Sequence, residues 1–89
     1  MIVTEETFNT AAEIARRFNS TRFFVFGSAI DPSRTPHDLD FACEGVPGWK
    51  LFQLGAALEE ALRMPVDLIP LDEPSEFGRM VVSQGRRLV

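Results

Sequence analysis

Asp38 and Asp40 flank a single apolar residue, Leu39, and follow a Gly27-Ser28 pair with nine residues between Ser28 and Asp38. Carboxylates at i and i+2 offer hard oxygen donors of the kind that divalent cations take. A glycine–serine turn lets backbone approach a phosphate closely and supplies an amide N–H and a hydroxyl. The two features together are what metal-dependent phosphate chemistry needs. Each alone has a plainer reading. Gly-Ser ends strands as an ordinary turn, and two aspartates at strand spacing make a solvated face. A third carboxylate, Asp67, would by itself be an edge charge. The conjunction carries the weight, so the question is whether the chain brings them together.

The elements around these residues are legible. Phe8, Ala11, Ala12, Ala15 and Phe18 recur at helical spacing over about residues 5–18. Glu5 and Glu6 in the first turn and Arg16 and Arg17 in the last match the sign of the helix dipole. Residues 22–26, with the run Phe23-Phe24-Val25-Phe26, are apolar on both faces, as in a strand covered on both sides. Pro32 and Pro36 leave a loop and at most one helical turn after Gly27-Ser28. A second strand is predicted from Asp38 to Cys43. Leu51, Leu54, Leu58 and Leu62 then line one face of a helix over residues 49–63, which Pro47-Gly48 introduces. That stripe is core packing. Val66-Asp67-Leu68-Ile69 reads as a third strand closed by Pro70, followed by a short helix near 75–82 and a terminal strand over 86–89.

This α-β-β-α-β-α-β order predicts an α+β (α/β) chain: a small mixed β-sheet with helices packed on it. About two dozen residues and a helix separate the second strand from the third, which is the parallel crossover connection. Parallel neighbours start at the same end of the sheet, so Asp67 is expected beside Asp38 and Asp40. Residues i and i+2 of a strand share a face, and the short loop returns Gly27-Ser28 to that end. Three like charges so close raise one another's pKa values. A divalent cation removes the conflict, and oxygen ligands combined with substrate phosphates favour Mg²⁺. Two ions about 4 Å apart could activate an attacking oxygen and stabilise a leaving pyrophosphate.

Composition narrows the classes. Eighty-nine residues are expected to form one domain, residues 1–89. A core this small, burying about 60% of the unfolded surface, leaves room for an oligomer or partner to add stability. With 45% hydrophobic and 25% charged residues the chain reads as soluble and globular. No apolar run approaches the roughly 20 residues that span a bilayer, which excludes a membrane partner of that kind. The start, Met1 to Glu6, is acidic where a signal peptide is basic, so a cytoplasmic location is expected. A net charge of −4 disfavours nucleic acid as a partner. The lone Cys43 forms no internal disulfide and reads as a small buried hydrophobe.

Gly27-Ser28, Asp38-Leu39-Asp40 and Val66-Asp67-Leu68-Ile69, in this order on these elements, resemble the minimal nucleotidyltransferases (MNT) of the DNA polymerase beta-like superfamily. The likeness runs from the first helix to the Gly85-Arg86-Arg87-Leu88-Val89 tail. It implies the polymerase beta-like palm fold, with Asp38 and Asp40 as metal ligands and Asp67 as the third catalytic acid, binding metal or activating the accepting hydroxyl. It implies that Gly27 and Ser28 hold a nucleoside triphosphate and that Mg²⁺ and ATP are the cofactor and donor; the residues themselves add Arg34, which could reach a triphosphate from the Pro-rich loop, its plainer reading being a solvent-facing side chain. Small members of this family pair with a helical HEPN-domain protein as antitoxin and toxin, and can move AMP onto a tyrosine of the toxin. The present chain has no tyrosine, so labelling of that residue type is expected in trans. An antitoxin that neutralises its partner by occlusion, without turnover, is the alternative. The loop after Ser28 is slightly shorter than is common in the family, Ala29, Ile30 and Asp31 replace its frequent basic and glycine positions, and His37 stands where a small hydroxyl residue is usual. His37 reads as a surface residue. Arg79 could approach a triphosphate from the last helix, and Trp49 and Phe77 are candidates for a partner interface.

Overall fold

The sheet of this computed structural model, which describes residues 3–89, is mixed and has the strand order β3-β2-β1-β4. The chain enters it through α1 (Glu5–Arg17). Thr4 caps that helix: its hydroxyl accepts from the Thr7 N–H, and Thr7 returns the bond to the Thr4 N–H at 3.1 Å. This reciprocal cap satisfies two backbone donors that otherwise lack partners. The helix ends one residue earlier than its apolar spacing suggests. Phe18 closes it, and Asn19 turns the chain left-handed at φ 63°.

β1 (Arg22–Phe26) pairs antiparallel with β2 (Leu39–Glu44), so that Phe26 faces Asp40 and Arg22 faces Glu44. A 3₁₀ turn, Gly27–Ile30, and the Pro-containing loop connect them. α2 (Gly48–Leu62) carries the chain across to β3 (Val66–Pro70), which runs parallel to β2. The expected crossover is therefore present. α2 stops where Arg63 takes a left-handed conformation. α3 (Glu76–Gln84) starts on a Ser75 cap and leads to β4 (Arg86–Arg87) on the free edge of β1. The last strand is shorter than residues 86–89. Its ladder closes early because the Leu88 and Val89 N–H groups both donate to one acceptor, the Phe23 carbonyl.

Alternation along the strands divides the interior in two. Phe23, Val25, Leu39, Phe41 and Cys43 point to one face, where Phe8, Ile14 and Ala15 of α1 and Leu54 and Leu58 of α2 cover them. The Phe23 and Phe41 rings stack at 5.0 Å. Phe24 and Ala42 point to the other face and cluster, among the buried described residues, with Leu71 and Val81 alone. That second face, thinly covered by α3, also carries Asp40. No helix among the described residues is long and apolar enough to cross a membrane.

Candidate functional site

The parallel register of β2 and β3 sets Asp40 directly beside Asp67. Asp38 lies one residue before β2. The chain there is held in line by the Leu39 N–H, which donates to the Pro65 carbonyl at 2.9 Å. As a result, one carboxylate oxygen from each of Asp38, Asp40 and Asp67 lies within 4.8 Å of the others. Asp38 and Asp40 are half-buried and Asp67 is exposed. The gathering deduced from topology is what the backbone produces.

Gly27 is fixed by two independent requirements. Its φ of +75° lies in the left-handed region, and a Cβ there would stand 2.5 Å from Asp40 Oδ2. Any side chain would thus displace a carboxylate as well as strain the backbone. Ser28 is buried in the 3₁₀ turn that follows. Beyond it Asp31 organises the loop, accepting from the Ser33 N–H at 2.9 Å and the Ser33 hydroxyl at 2.6 Å. The Asp31 carbonyl accepts from the Arg34 N–H at 3.1 Å, which starts Arg34 on its exposed path beside the turn.

The electrostatics of the cluster are unresolved within the protein. Burial pushes the Asp40 carboxyl above its ordinary value, the charges of Asp38 and Asp67 push it further, and Arg34 pulls weakly the other way. The three ion pairs among the described residues, Arg17–Glu13, Arg22–Glu44 and Arg86–Glu5, all lie elsewhere. A cation fits this donor set. Three carboxylate oxygens are the hard ligands that Mg²⁺ takes.

Gly27, Asp38, Asp40 and Asp67 therefore converge, with Ser28 next in the turn. Arg34 borders the same region, lining a cavity with Gly27. Arg79 does not reach it. It lines a groove with Arg22 and Glu44 at the opposite end of the strands, because residue 79 falls on the N-terminal half of α3, away from the carboxylates. His37 is exposed in the loop that leads to Asp38. Trp49 and Phe77 are exposed as their positions suggested, but Phe52 exceeds both at 88% exposure. Its position three residues after Trp49, off the leucine stripe, was the available signal. Gln84 and Met80, which wall the cavity beside Gly27, had no signal in the sequence.

No family model matches the chain, and no curated protein matches it. Solved structures do. A chain of the crystal structure of the toxin–antitoxin MntA–HepT is 23% identical, with 97% of this chain and 72% of that one aligned at a TM-score of 0.76. A chain of a toxin–antitoxin crystal structure with AMP-PNP is 25% identical over 92% of this chain and 72% of that one, at 0.78. A third structure holds a tri-AMPylated Shewanella oneidensis HEPN toxin in complex with an MNT antitoxin. Its matching chain is 24% identical over 96% of this chain and 71% of that one, at 0.75. The resemblance drawn from the sequence is borne out at the level of the fold: three helices on a four-stranded mixed sheet, arranged as in these toxin–antitoxin complexes.

Proposed function

We propose that the chain is a Mg²⁺-dependent nucleotidyltransferase that moves AMP from ATP to a hydroxyl of a HEPN-domain partner, as the antitoxin of such a pair. The observation that carries this reading is the placement of three carboxylate oxygens within 4.8 Å of one another beside a glycine at φ +75°. Likeness of fold to a complex with AMP-PNP and to one with a tri-AMPylated HEPN toxin supports the choice of nucleotide and partner.

In this reading Asp38 and Asp40 hold the ion and Asp67 completes its surroundings. Bound there, the metal would neutralise the developing charge on the transferred phosphoryl group. The Gly27–Ser28 turn offers its amide and the Ser28 hydroxyl to phosphate oxygens. The acceptor oxygen bonds to the α-phosphorus while the bond to the bridging oxygen breaks, and pyrophosphate departs with that electron pair. Asp67, the exposed member of the three, would take the hydroxyl proton. Alignment and electrostatics supply most of the catalysis in phosphoryl transfer. The chain has no tyrosine of its own to modify.

The test is the intact mass of a co-expressed HEPN-domain partner after incubation with the chain, ATP and Mg²⁺. A gain of one or more AMP units is expected, and none with the Asp40→Asn variant. A stable complex whose partner keeps its mass would replace transfer by neutralisation through occlusion.

A further inference from the structure

We propose that the outer face of α2 is a contact between two copies of this chain, paired antiparallel about a two-fold axis midway between Phe52 and Ala56. Trp49 and Phe52 are 70% and 88% exposed. With the exposed Ala56 they recur at helical spacing on the side of α2 opposite the buried Leu54, Leu58 and Leu62. One exposed aromatic on a surface is ordinary. Two adjacent ones continued by an alanine make an apolar patch of the kind that marks a protein contact. The Lys50 ammonium lies 5.2 Å over the Trp49 ring and steadies it there.

Gly55 supplies a second, independent reason. It sits in the middle of α2, where glycine weakens a helix relative to alanine. Beyond the helix itself, nothing among the described residues lies within 4 Å of where its Cβ would stand. The fold of the single copy therefore does not ask for glycine here. Bare backbone beside Phe52 and Ala56 lets a second helix approach closely.

Charge identifies that helix. When Phe52 of each copy rests on Ala56 of the other, antiparallel pairing brings Trp49 to the turn around position 59 of its mate and sets position 63 opposite position 45. Arg63 follows α2 directly, is exposed, and enters none of the ion pairs among the described residues. Position 45 is flanked by acids: the Gly45 N–H donates to Asp72 Oδ2 at 3.0 Å, and Asp72 and Glu73 line one cavity with Gly45 and Gly48. Arg63 therefore meets Asp72 and Glu73 of the second copy, and two-fold symmetry makes the same contact again. A face with its cation at one end and its acids at the other is complementary to itself. α2 covers the sheet face away from Asp40, so the carboxylate clusters of both copies stay open and the pairing does not depend on the nucleotidyltransferase reading.

The experiment is sedimentation velocity of the full chain from about 1 to 500 µM, with the fluorescence of Trp49, the one tryptophan. Reversible dimerisation with a dissociation constant of about 1–100 µM is expected, as contacts at the small end of the size range give. The emission should shift to the blue as the dimer forms. Phe52→Ala should weaken association at least about tenfold. Arg63→Glu and Glu73→Arg should each be monomeric alone yet dimerise when mixed in equal amounts, because the mixed pair restores opposite charges at both ends. Gly55→Gln should raise the melting midpoint of the dilute protein by about 2–5 °C and weaken the dimer. Circular dichroism confirms that the variants are folded. Mg²⁺ and Asp40→Asn should change none of this, which keeps the dimer and the transferase reading separately testable. A chain that stays monomeric throughout, a dimer that survives Phe52→Ala, or charge variants that do not recover on mixing overturns the proposal. So does a Trp49 emission that shifts only when a HEPN-domain protein is added, which gives the face to that partner.

Discussion

Asp40→Asn keeps the shape of the side chain and removes one of three crowded charges, so it should make the metal-free protein more stable. At 4.8 Å, the upper limit of their separations, a pair of carboxylates repels by about 3.5 kcal/mol at an effective dielectric of 20 and about 0.9 kcal/mol in bulk water. Asp67 is exposed and the other two are half-buried, which places each pair toward the lower figure. The substitution relieves two pairs and forfeits the weaker pull of Arg34. A net gain of about 1–2 kcal/mol follows. For a domain of this size that is roughly 4–16 °C in melting temperature.

The pH dependence has a definite sign. Asp40 is raised in the folded protein, by burial first and then by its acidic neighbours, so the fold binds that proton more tightly than the unfolded chain does. The contribution of Asp40 to wild-type stability is therefore fully present below the unfolded value of about 4 and is lost as pH rises through the folded value. The advantage of Asp40→Asn should be full at neutral pH and vanish in acid. Millimolar Mg²⁺ should raise the wild-type midpoint and leave that of the variant nearly unmoved, since binding to the native state alone stabilises it. Thermal melts followed by circular dichroism measure all of this. A variant that melts at or below wild type at neutral pH without metal would refute the claim that these acids repel. An equal response of both proteins to Mg²⁺ would refute their role as its ligands.

Gly27→Ala should cost about 1–2 kcal/mol through its left-handed backbone alone, and more through the clash with Asp40 Oδ2 at 2.5 Å. Denaturant melts should show that loss, and labelling of the partner should fall with it. Cys43 is fully buried, and burial, aided by Asp72, pushes its thiol up to about 12. Mass spectrometry after iodoacetamide should find it unmodified in the native protein at neutral and mildly alkaline pH, and fully modified in denaturant. Rapid native labelling would mean that the β1–β2 core opens far more readily than its packing implies.

Much of this arrangement was readable from the residues, and the parts that were not share a physical cause. Period and capping identify an element and its inward face, which is why α1, the leucine stripe of α2 and the two-sided β1 were recovered within a residue or two. Loop length then fixes parallel against antiparallel, and that alone brought Asp67 to Asp40. How far an element slides along its neighbour leaves no mark in its own sequence. The seat of α3 is such a case: Val81 sits over Phe24 and Ala42, which carries Arg79 away from the acids and brings Met80 and Gln84 toward them. Exposed aromatics such as Phe52 escape for a related reason, because a strong core stripe on the same helix dominates its pattern.

The unequal covering of the two sheet faces explains how so small a chain sustains a cluster of repelling charges. Among the described residues one face buries 14 and the other 4, so most of the apolar stabilisation lies on the side away from the carboxylates. The acids sit where the fold has least to lose. The same division loosens α3: it rests on Phe24, Ala42 and the edge of Phe26, and none of its residues enters the Phe23–Phe41 core. A shift of α3 along the sheet would widen or narrow the cavity beside Gly27 while leaving that core intact. Substitutions on the Met80–Gln84 side should therefore have little effect on melting, whereas truncating the buried side chains of α1 or α2 should lower the midpoint. The carboxylate cluster and the main core are separable here because they are built on opposite sides of one sheet.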